Sequence, residues 1–157
     1  MTSRTAPPFR ADHVGSLLRP AALLEARTKA ADGGLPPEEL RAVEDDAVRE
    51  VVRLQEETGL QSATDGEFRR TSWHMDFIYQ LGGVTRSEQS MHVHFENEEG
   101  SIDFAPPAIA IADRVRLEQP IFTADFAFLQ SAVTTATPKL TIPSPSMVHY
   151  RGGRAAI

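Results

Sequence analysis

The feature that most constrains the fold is an apolar repeat at alternating three- and four-residue steps, directly after Pro36 and Pro37. Charged side chains fill the positions between the apolar ones, and Gly59 supplies a left-handed stop. This spacing predicts an amphipathic helix with one buried face, so the chain must build a core against it. The apolar members of the repeat are Leu40, Val43, Ala47, Val51 and Leu54.

Segments of β character lie before and after the helical stretches. We expect strands at residues 9–16, 60–67 and 138–146. The helices expected between them cover residues 21–27, 40–54, 71–81 and 123–133. Strands that alternate with helices and end in polar residues predict a parallel α/β arrangement with a site at the carboxyl ends of the strands.

Residues 84–95 depart from this alternation of strands and helices. In their later part Met91, Val93 and Phe95 alternate with polar residues, which is the period of a half-buried antiparallel strand. Residues 108–111 and 115–117 also have β character. We interpret this region as an inserted β-hairpin.

The expected fold class is therefore α/β, as an incomplete TIM (β/α)₈ barrel that supplies about three strands. A closed barrel takes about 250 residues, and this chain has 157. We expect residues 1–157 to form a single domain that is truncated at the C-terminus. An incomplete barrel exposes a strand edge and apolar side chains, which predicts self-association through that open edge and poor solubility.

Composition excludes several classes of function. The chain has 22 acidic and 16 basic residues and a formal net charge of -6, which argues against binding to the phosphate backbone of nucleic acids. It has no cysteine, so it forms no disulfide, thiolate nucleophile or cysteine-ligated zinc site of its own. No apolar run approaches the ~20 residues of a membrane span, and no secretory signal is present, so a cytoplasmic location is expected.

Residues 65–70 place two carboxylates and two guanidiniums at the end of an expected strand. A binding pocket and an ion-pair network explain this cluster equally well. His92 and His94 share one face of a strand, but without a third ligand we interpret them as surface residues. Trp73 and Phe77 are at helical spacing and are expected at the edge of the core rather than as a wall for a flat ligand.

Three blocks of sequence, at residues 11–20, 64–73 and 139–146, together carry a family resemblance. They read ADHVGSLLRP, TDGEFRRTSW and KLTIPSPS. In this order they resemble the catalytic domain of cobalamin-independent methionine synthase, most closely the stand-alone bacterial proteins related to it. The resemblance implies a TIM barrel that transfers a methyl group from methyltetrahydrofolate to the sulfur of homocysteine, which zinc holds as a thiolate.

The resemblance also implies roles for individual residues. Glu67 matches the carboxylate that binds the homocysteine amine, and the loop of Val14, Gly15 and Ser16 matches the one that binds its carboxylate end. Three residues are expected to support this site. They are Asp65, Arg69 and Tyr150. Asp65 either positions the Glu67 loop or neighbours Arg69. Tyr150 is the nearest counterpart of the aromatic residue that stacks on folate.

Zinc belongs to the full-length family, whose ligands are a histidine, a glutamate and cysteines in later strands. This chain has no cysteine and is expected to carry none of these ligands, and nothing in the resemblance places His92, His94 or His149 at a metal. We therefore expect the chain alone to be inactive.

Two alternatives stay open beside this interpretation. One is a non-catalytic half-barrel that acts as an assembly or binding module. The other is part of a split alkyl-thiol transferase in which a separate chain supplies zinc. Some similar proteins move other alkyl groups to thiols, so the donor and the acceptor thiol stay open as well.

Overall fold

The computed structural model describes residues 12–87, 93–97, 100–104 and 108–150 of the chain. The helices of this part are α1 (Ala21–Ala31), α2 (Pro37–Glu57), α3 (Met75–Ile78), α4 (Thr123–Ala132) and α5 (Met147–Tyr150). Its strands are β1 (Ser62–Ala63), β2 (Gly82–Ser87), β3 (Val93–Asn97), β4 (Gly100–Phe104), β5 (Ala108–Arg116) and β6 (Thr137–Pro138). The α/β class predicted from the sequence is confirmed.

The chain divides into two compact units. Unit 1 contains the described residues of Met1–Thr71 and Phe122–Thr141, and unit 2 those of Ser72–Ile121 and Ile142–Ile157. None of the helices in the described residues combines the length and apolar character needed to cross a membrane.

Helix α2 forms the centre of unit 1. Pro37 is compatible with the first turn, where its missing N–H costs no bond, and Glu38 and Glu39 lie near the positive end of the helix dipole. The helix buries Val48 and Val52 almost completely. These two side chains belong to a core that also contains Ala47 and Val51 of α2 and residues of α1, β1, the turn after β1 and α4, namely Leu23, Ala63, Phe68 and Leu129.

The predicted apolar face of α2 is only partly right. Ala47 and Val51 are buried, but Leu54 is 58% exposed. The face that meets α1 and α4 is centred on Val48 and Val52, so Leu54 lies to one side of it. In this last part of α2 the buried side chain is that of Gln55, whose amide group bonds the backbone of Thr64.

The predicted second strand at 60–67 is reduced to β1, and the predicted third strand at 138–146 is wrong beyond Pro138, because residues 139–144 have no regular structure and residues 145–146 form a turn. The two short strands that remain are parallel, as expected. Strand β1 pairs with β6 in parallel, with Ser62 opposite Thr137 and Ala63 opposite Pro138. The predicted strand at 9–16 is wrong for residues 12–16, which form a loop, while residues 9–11 lie outside the described part. Side chains hold this loop, since Lys139 Nζ donates to the carbonyl oxygen of His13.

Unit 2 contains the predicted inserted β structure as two antiparallel pairs. Strand β2 pairs with β5, and β3 pairs with β4. Residues 84–95 contain most of β2 and the start of β3, with residues 88–92 between them outside the described part. The core of this unit is formed by Met75 and Ile78 of α3 and Ile109 of β5.

The predicted helix at 71–81 is reduced to α3. Trp73 precedes this helix instead of lying in it, and its 47% exposure is that of a residue at an edge and not of a buried one. Its ring lies 4.3 Å from the ring of His74. Residues 71–74 adopt bends and turns instead of helix, and the Ser72 backbone N–H bonds Asp76 Oδ1.

Candidate functional site

A tight turn follows β1 and carries the candidate binding carboxylate. Gly66 and Glu67 both have positive φ, of 64° and 57°. The left-handed conformation is uncommon for a residue with a side chain, and it persists only where its surroundings enforce it. Here the Gly66 N–H donates to Thr64 Oγ1 at 3.1 Å, and the Glu67 N–H donates to Asp65 Oδ1 at 2.9 Å.

The Glu67 carboxylate is buried, with the residue only 2% exposed, and it accepts hydrogen bonds from separate parts of unit 1. The Ser16 hydroxyl donates to Oε2 at 2.6 Å, and the Thr141 hydroxyl donates to Oε1 at 2.9 Å. Arg70 Nη1 lies 3.3 Å from Oε1. A buried carboxylate is stable only when it is paired in this way. The loop before α1, the turn after β1 and the segment after β6 therefore all contact the Glu67 carboxylate.

The loop of residues 13–16 lies beside this carboxylate. Gly15 has a φ of 97°, which suits glycine, and its carbonyl oxygen accepts a hydrogen bond from His13 Nε2 at 2.7 Å. In the part of the chain that the structure describes, the backbone N–H groups of Val14, Gly15 and Ser16 donate to no protein acceptor. Successive free N–H groups attract an anion.

Lys139 anchors the same loop. Its Nζ donates to Asp12 Oδ2 at 2.6 Å and to the His13 carbonyl oxygen at 3.0 Å. Ser62 Oγ donates to the other Asp12 oxygen at 2.8 Å. The hydrogen bonds from Lys139 and then from Ser62 hold the pKa of Asp12 below its ordinary value. The loop is thereby tied to β1 and to the residue after β6.

Two arginines, Arg19 and Arg27, hold the far side of the Glu67 turn, and we call them the carbonyl clasp. Arg19 Nη2 donates to the carbonyl oxygens of Glu67 and Arg70, at 2.9 and 2.8 Å. Arg27 donates to the carbonyl oxygens of Arg70 and Arg69, at 2.9 and 2.6 Å. The clasp holds the backbone of the turn. Its described hydrogen bonds to this turn go to carbonyl oxygens, while the Glu67 side chain is held by Ser16, Thr141 and Arg70.

Arg69 points away from Glu67. Its guanidinium pairs with Asp45 of α2, and it lies 4.6 Å from the ring centroid of Phe128 in α4. Of the two roles expected for Asp65, the geometry matches the positioning of the Glu67 turn. Arg69 is held by α2 and α4 instead.

Several residues at this site were not anticipated from the sequence. They are Arg19, Arg27, Lys139 and Thr141, and all except Arg27 fall within the three blocks that carry the family resemblance, whereas Arg70 belongs to the charged cluster at residues 65–70 that the sequence singles out. Membership of those blocks was the available signal. Tyr150 lies in α5 with its side chain outside the described part, so its role stays a prediction.

Unit 2 contains a separate cavity of about 500 Å³. Its lining is apolar apart from Ser144, so it lacks the charged groups that would hold an amino acid zwitterion. Phe77, Ile78, Leu81, Ile111 and Val148 are among the lining residues.

A zinc site does not fit the residues that the structure describes. Among them there is no group of three or more histidine, aspartate or glutamate side chains that could hold a metal ion, and the sequence has no cysteine. His92 lies outside the described part, while His94 and His149 fall in β3 and α5. Zinc sites in proteins take three or four such ligands.

The chain is similar in sequence to longer proteins. No protein-family model matches it. It is 41% identical to the uncharacterised Bacillus subtilis protein YxjG over 149 residues, which are 95% of this chain and 38% of that protein. It is 28% identical to the 5-methyltetrahydropteroyltriglutamate–homocysteine methyltransferase of Thermosynechococcus vestitus, over 98% of this chain and 19% of that enzyme.

Two solved structures share the fold. One is the Listeria monocytogenes protein assigned as a vitamin-B12-independent methionine synthase, with a TM-score of 0.71 and 39% identity over 93% of this chain. The other is a B12-independent methionine synthase from Shewanella sp. W3-18-1 in complex with selenomethionine, with a TM-score of 0.59 and 26% identity over 83% of this chain. The chain spans 39% and 36% of those two proteins.

Proposed function

Because the relatives and structural neighbours of the chain are cobalamin-independent methionine-synthase-like proteins, we propose that it binds the amino acid end of homocysteine or of another small thiol. In this proposal Glu67 accepts the ammonium group, and the backbone N–H groups of Val14, Gly15 and Ser16 donate to the carboxylate. Asp65 holds the Glu67 turn in place, and Arg69 ties that turn to α2.

The observation that carries the proposal is the position of the Glu67 carboxylate beside the N–H groups of residues 14–16, which have no acceptor among the described residues. A zwitterionic amino acid needs a negative partner for its ammonium and donors for its carboxylate a few ångströms apart. Ser16 joins the two halves of such a pocket, since its hydroxyl donates to Glu67 while its own N–H is unpaired within the described residues.

The same arrangement supports our proposal that the fold is part of a (β/α)₈ barrel. In such barrels the site lies at the carboxyl ends of parallel strands. Glu67 follows β1 and Thr141 follows β6, and these two strands are parallel neighbours. The short pair would then be two adjacent strands of the barrel wall.

The proposal assigns substrate recognition to this chain and not the methyl transfer itself. The described residues do not fit a zinc site, so no step of thiol activation is derived for them. Methyltetrahydrofolate as the donor, with Tyr150 stacking on it, stays a proposal taken from the resemblance. We expect the purified 157-residue chain to bind homocysteine without methylating it.

Calorimetric titration of the chain with homocysteine tests the proposal. We expect Glu67→Gln to weaken binding by about tenfold to a hundredfold, because a charge-assisted hydrogen bond contributes about 1.5–3 kcal/mol. Glu57→Gln is the matched control, since Glu57 is an exposed glutamate that pairs with Arg53. Absence of binding by the unmodified chain, or methyl transfer by it, would contradict the proposal.

A second function, assembly with another chain, is favoured by the open strands of unit 1. In the described residues β1 and β6 pair only with each other, and Leu18 is 95% exposed in the same unit. The partner would be a second copy, or a separate zinc-bearing chain of a split alkyl-thiol transferase. Light scattering that shows a stable monomer, with no zinc protein co-purifying from the source cells, would exclude this function.

A further inference from the structure

We infer that Arg70 is a positioning residue that occupies Glu67 Oε1 and so reserves Oε2, beside the Ser16 hydroxyl, for the ammonium group of the ligand. This inference rests on the proposed function, because the ammonium belongs to the amino acid that the site would bind. It concerns which of the two carboxylate oxygens meets that ligand and what holds the carboxylate in the required rotation.

The two oxygens of Glu67 have unequal surroundings. Oε1 receives the Thr141 hydroxyl at 2.9 Å and Arg70 Nη1 at 3.3 Å. Oε2 receives the Ser16 hydroxyl at 2.6 Å. A carboxylate oxygen has two lone pairs, so among the described residues Oε1 is fully used while Oε2 keeps one acceptor position.

Ser16 extends this acceptor position. Its hydroxyl proton is used on Glu67, which leaves the two lone pairs of the hydroxyl oxygen as acceptors. An ammonium group carries three donors and can therefore bond both Glu67 Oε2 and Ser16 Oγ. Glu67 itself is 2% exposed, whereas Ser16 is exposed, so a ligand approaches from the Ser16 side.

Arg70 is held rigidly enough to act in this way. Its side chain is 4% exposed, and Nη2 donates to the Thr141 carbonyl oxygen at 2.6 Å. Its guanidinium lies 4.5 Å from the ring centroid of Phe122. The planar fork therefore spans from Thr141 to Glu67, a geometry that a lysine cannot reproduce.

The backbone of the turn supports the same arrangement. The Arg70 N–H donates to the Glu67 carbonyl oxygen at 3.1 Å, and Arg19 of the carbonyl clasp bonds the carbonyl oxygens of both residues. Main-chain and side-chain contacts thus link the same two residues. Because these backbone contacts do not use the Arg70 guanidinium, we expect its removal to disturb the rotation of the Glu67 carboxylate more than the backbone of the turn.

The test compares two ligands that differ only in the ammonium group, homocysteine and 4-mercaptobutanoate, by calorimetric competition on the full chain. We expect Arg70→Gln to lower the affinity for homocysteine about tenfold or more and to change that for 4-mercaptobutanoate by less than about twofold. Arg70→Lys should recover only part of the loss. Arg53→Gln removes an exposed arginine that also pairs with the glutamate three residues before it, and it should change neither affinity.

A selective loss of homocysteine affinity supports the inference. An equal loss for both ligands assigns Arg70 a merely structural role and overturns it, as does an unchanged affinity. If Arg70→Gln fails to fold, Thr141→Val decides, because it removes the other donor to Oε1 and should give a smaller loss with the same selectivity. An unmodified chain that binds neither ligand overturns the proposed function, and the inference with it.

Discussion

The Ser16 hydroxyl donates to Glu67 Oε2 at 2.6 Å, although 51 positions separate the two residues in the sequence. The contact joins a buried carboxylate to a loop whose N–H groups have no acceptor in the part of the chain that the structure describes, so the candidate pocket exists only in the folded chain. Any change that separates these two residues should affect ligand binding more than stability.

Ser16→Ala tests this relationship directly. We expect homocysteine affinity to fall about three- to tenfold, because the variant loses one acceptor for the ammonium and frees the rotation of Glu67. The melting temperature should change little, since Ser16 is exposed. Ser131→Ala, which removes an exposed hydroxyl bonded to the Phe128 carbonyl oxygen, is the control and should leave calorimetric binding unchanged.

Gly66→Ala should destabilise the turn that carries Glu67. A Cβ at Gly66 would lie 3.0 Å from a ring carbon of Phe68 and 3.3 Å from Leu17 Cβ, at a φ of +64°. Left-handed strain and overpacking together should lower the free energy of unfolding by about 2–4 kcal/mol. Urea denaturation measures this loss.

Gly33→Ala is the matched control for that measurement. Gly33 also has a positive φ, of +75°, but a Cβ there meets nothing within 4 Å. Only the backbone strain of about 1–2 kcal/mol should remain. Equal losses in Gly66→Ala and Gly33→Ala would mean that the contact with Phe68 adds nothing.

Glu56 should make the stability of unit 1 depend on pH. Burial alone raises the pKa of Glu56, but hydrogen bonds from Ala136, Thr135 and Thr134 outweigh it and lower this pKa from 4.5 to about 2. A carboxylate with a depressed folded pKa stabilises fully above its unfolded value and loses that contribution as the pH falls towards 2. After solvent screening the contribution is about 1 kcal/mol.

Denaturation of Glu56→Gln at pH 6 and at pH 3 checks this effect. The variant should be less stable than the unmodified chain at pH 6, and the difference should shrink at pH 3. Glu57→Gln, which alters an exposed ion pair with Arg53, should change the free energy of unfolding by less than about 0.5 kcal/mol at pH 6. A Glu56→Gln difference that is constant with pH would refute the depressed pKa.

Leu23→Ala should open a cavity in the core of unit 1. Leu23 of α1 is 0% exposed and packs in the same cluster as Val48 and Leu129. The loss should be about 2–5 kcal/mol in the free energy of unfolding. Leu24→Ala removes the same atoms from a neighbour that is 51% exposed, and a loss above about 1 kcal/mol there would contradict the assignment of the core.

The sequence predicts those elements that depend only on residues close together in the chain. The apolar repeat predicts α2 with its bounds within three residues, because a helix of that length needs only its own spacing and its flanking prolines. The direction of the buried face is not local, and Leu54 is exposed because α1 and α4 pack on the neighbouring stripe. Residues 12–16 fail as a strand since their anchor, Lys139, comes from a distant part of the chain.

The candidate site shows the same limit. Residues 65–70 stand out in the sequence because charged side chains follow a strand. The partners of this turn do not stand out, because they are distant in the sequence. Arg27 donates to the Arg69 carbonyl oxygen, 42 positions away, and the Thr141 hydroxyl donates to Glu67, 74 positions away. The pairing of each donor with its oxygen depends on how α1 and the segment after β6 pack. The spacing of residues in the sequence does not predict this packing.

The division of the chain into two units has a further consequence for how such proteins diversify. Every hydrogen-bond partner of the Glu67 side chain in the described residues lies in unit 1, while the chain leaves that unit after Thr71 and returns at Phe122. A substitution among residues 72–87, 93–97, 100–104 or 108–121 therefore removes no hydrogen bond to the Glu67 side chain, so this stretch can vary in sequence while the carboxylate keeps its described partners.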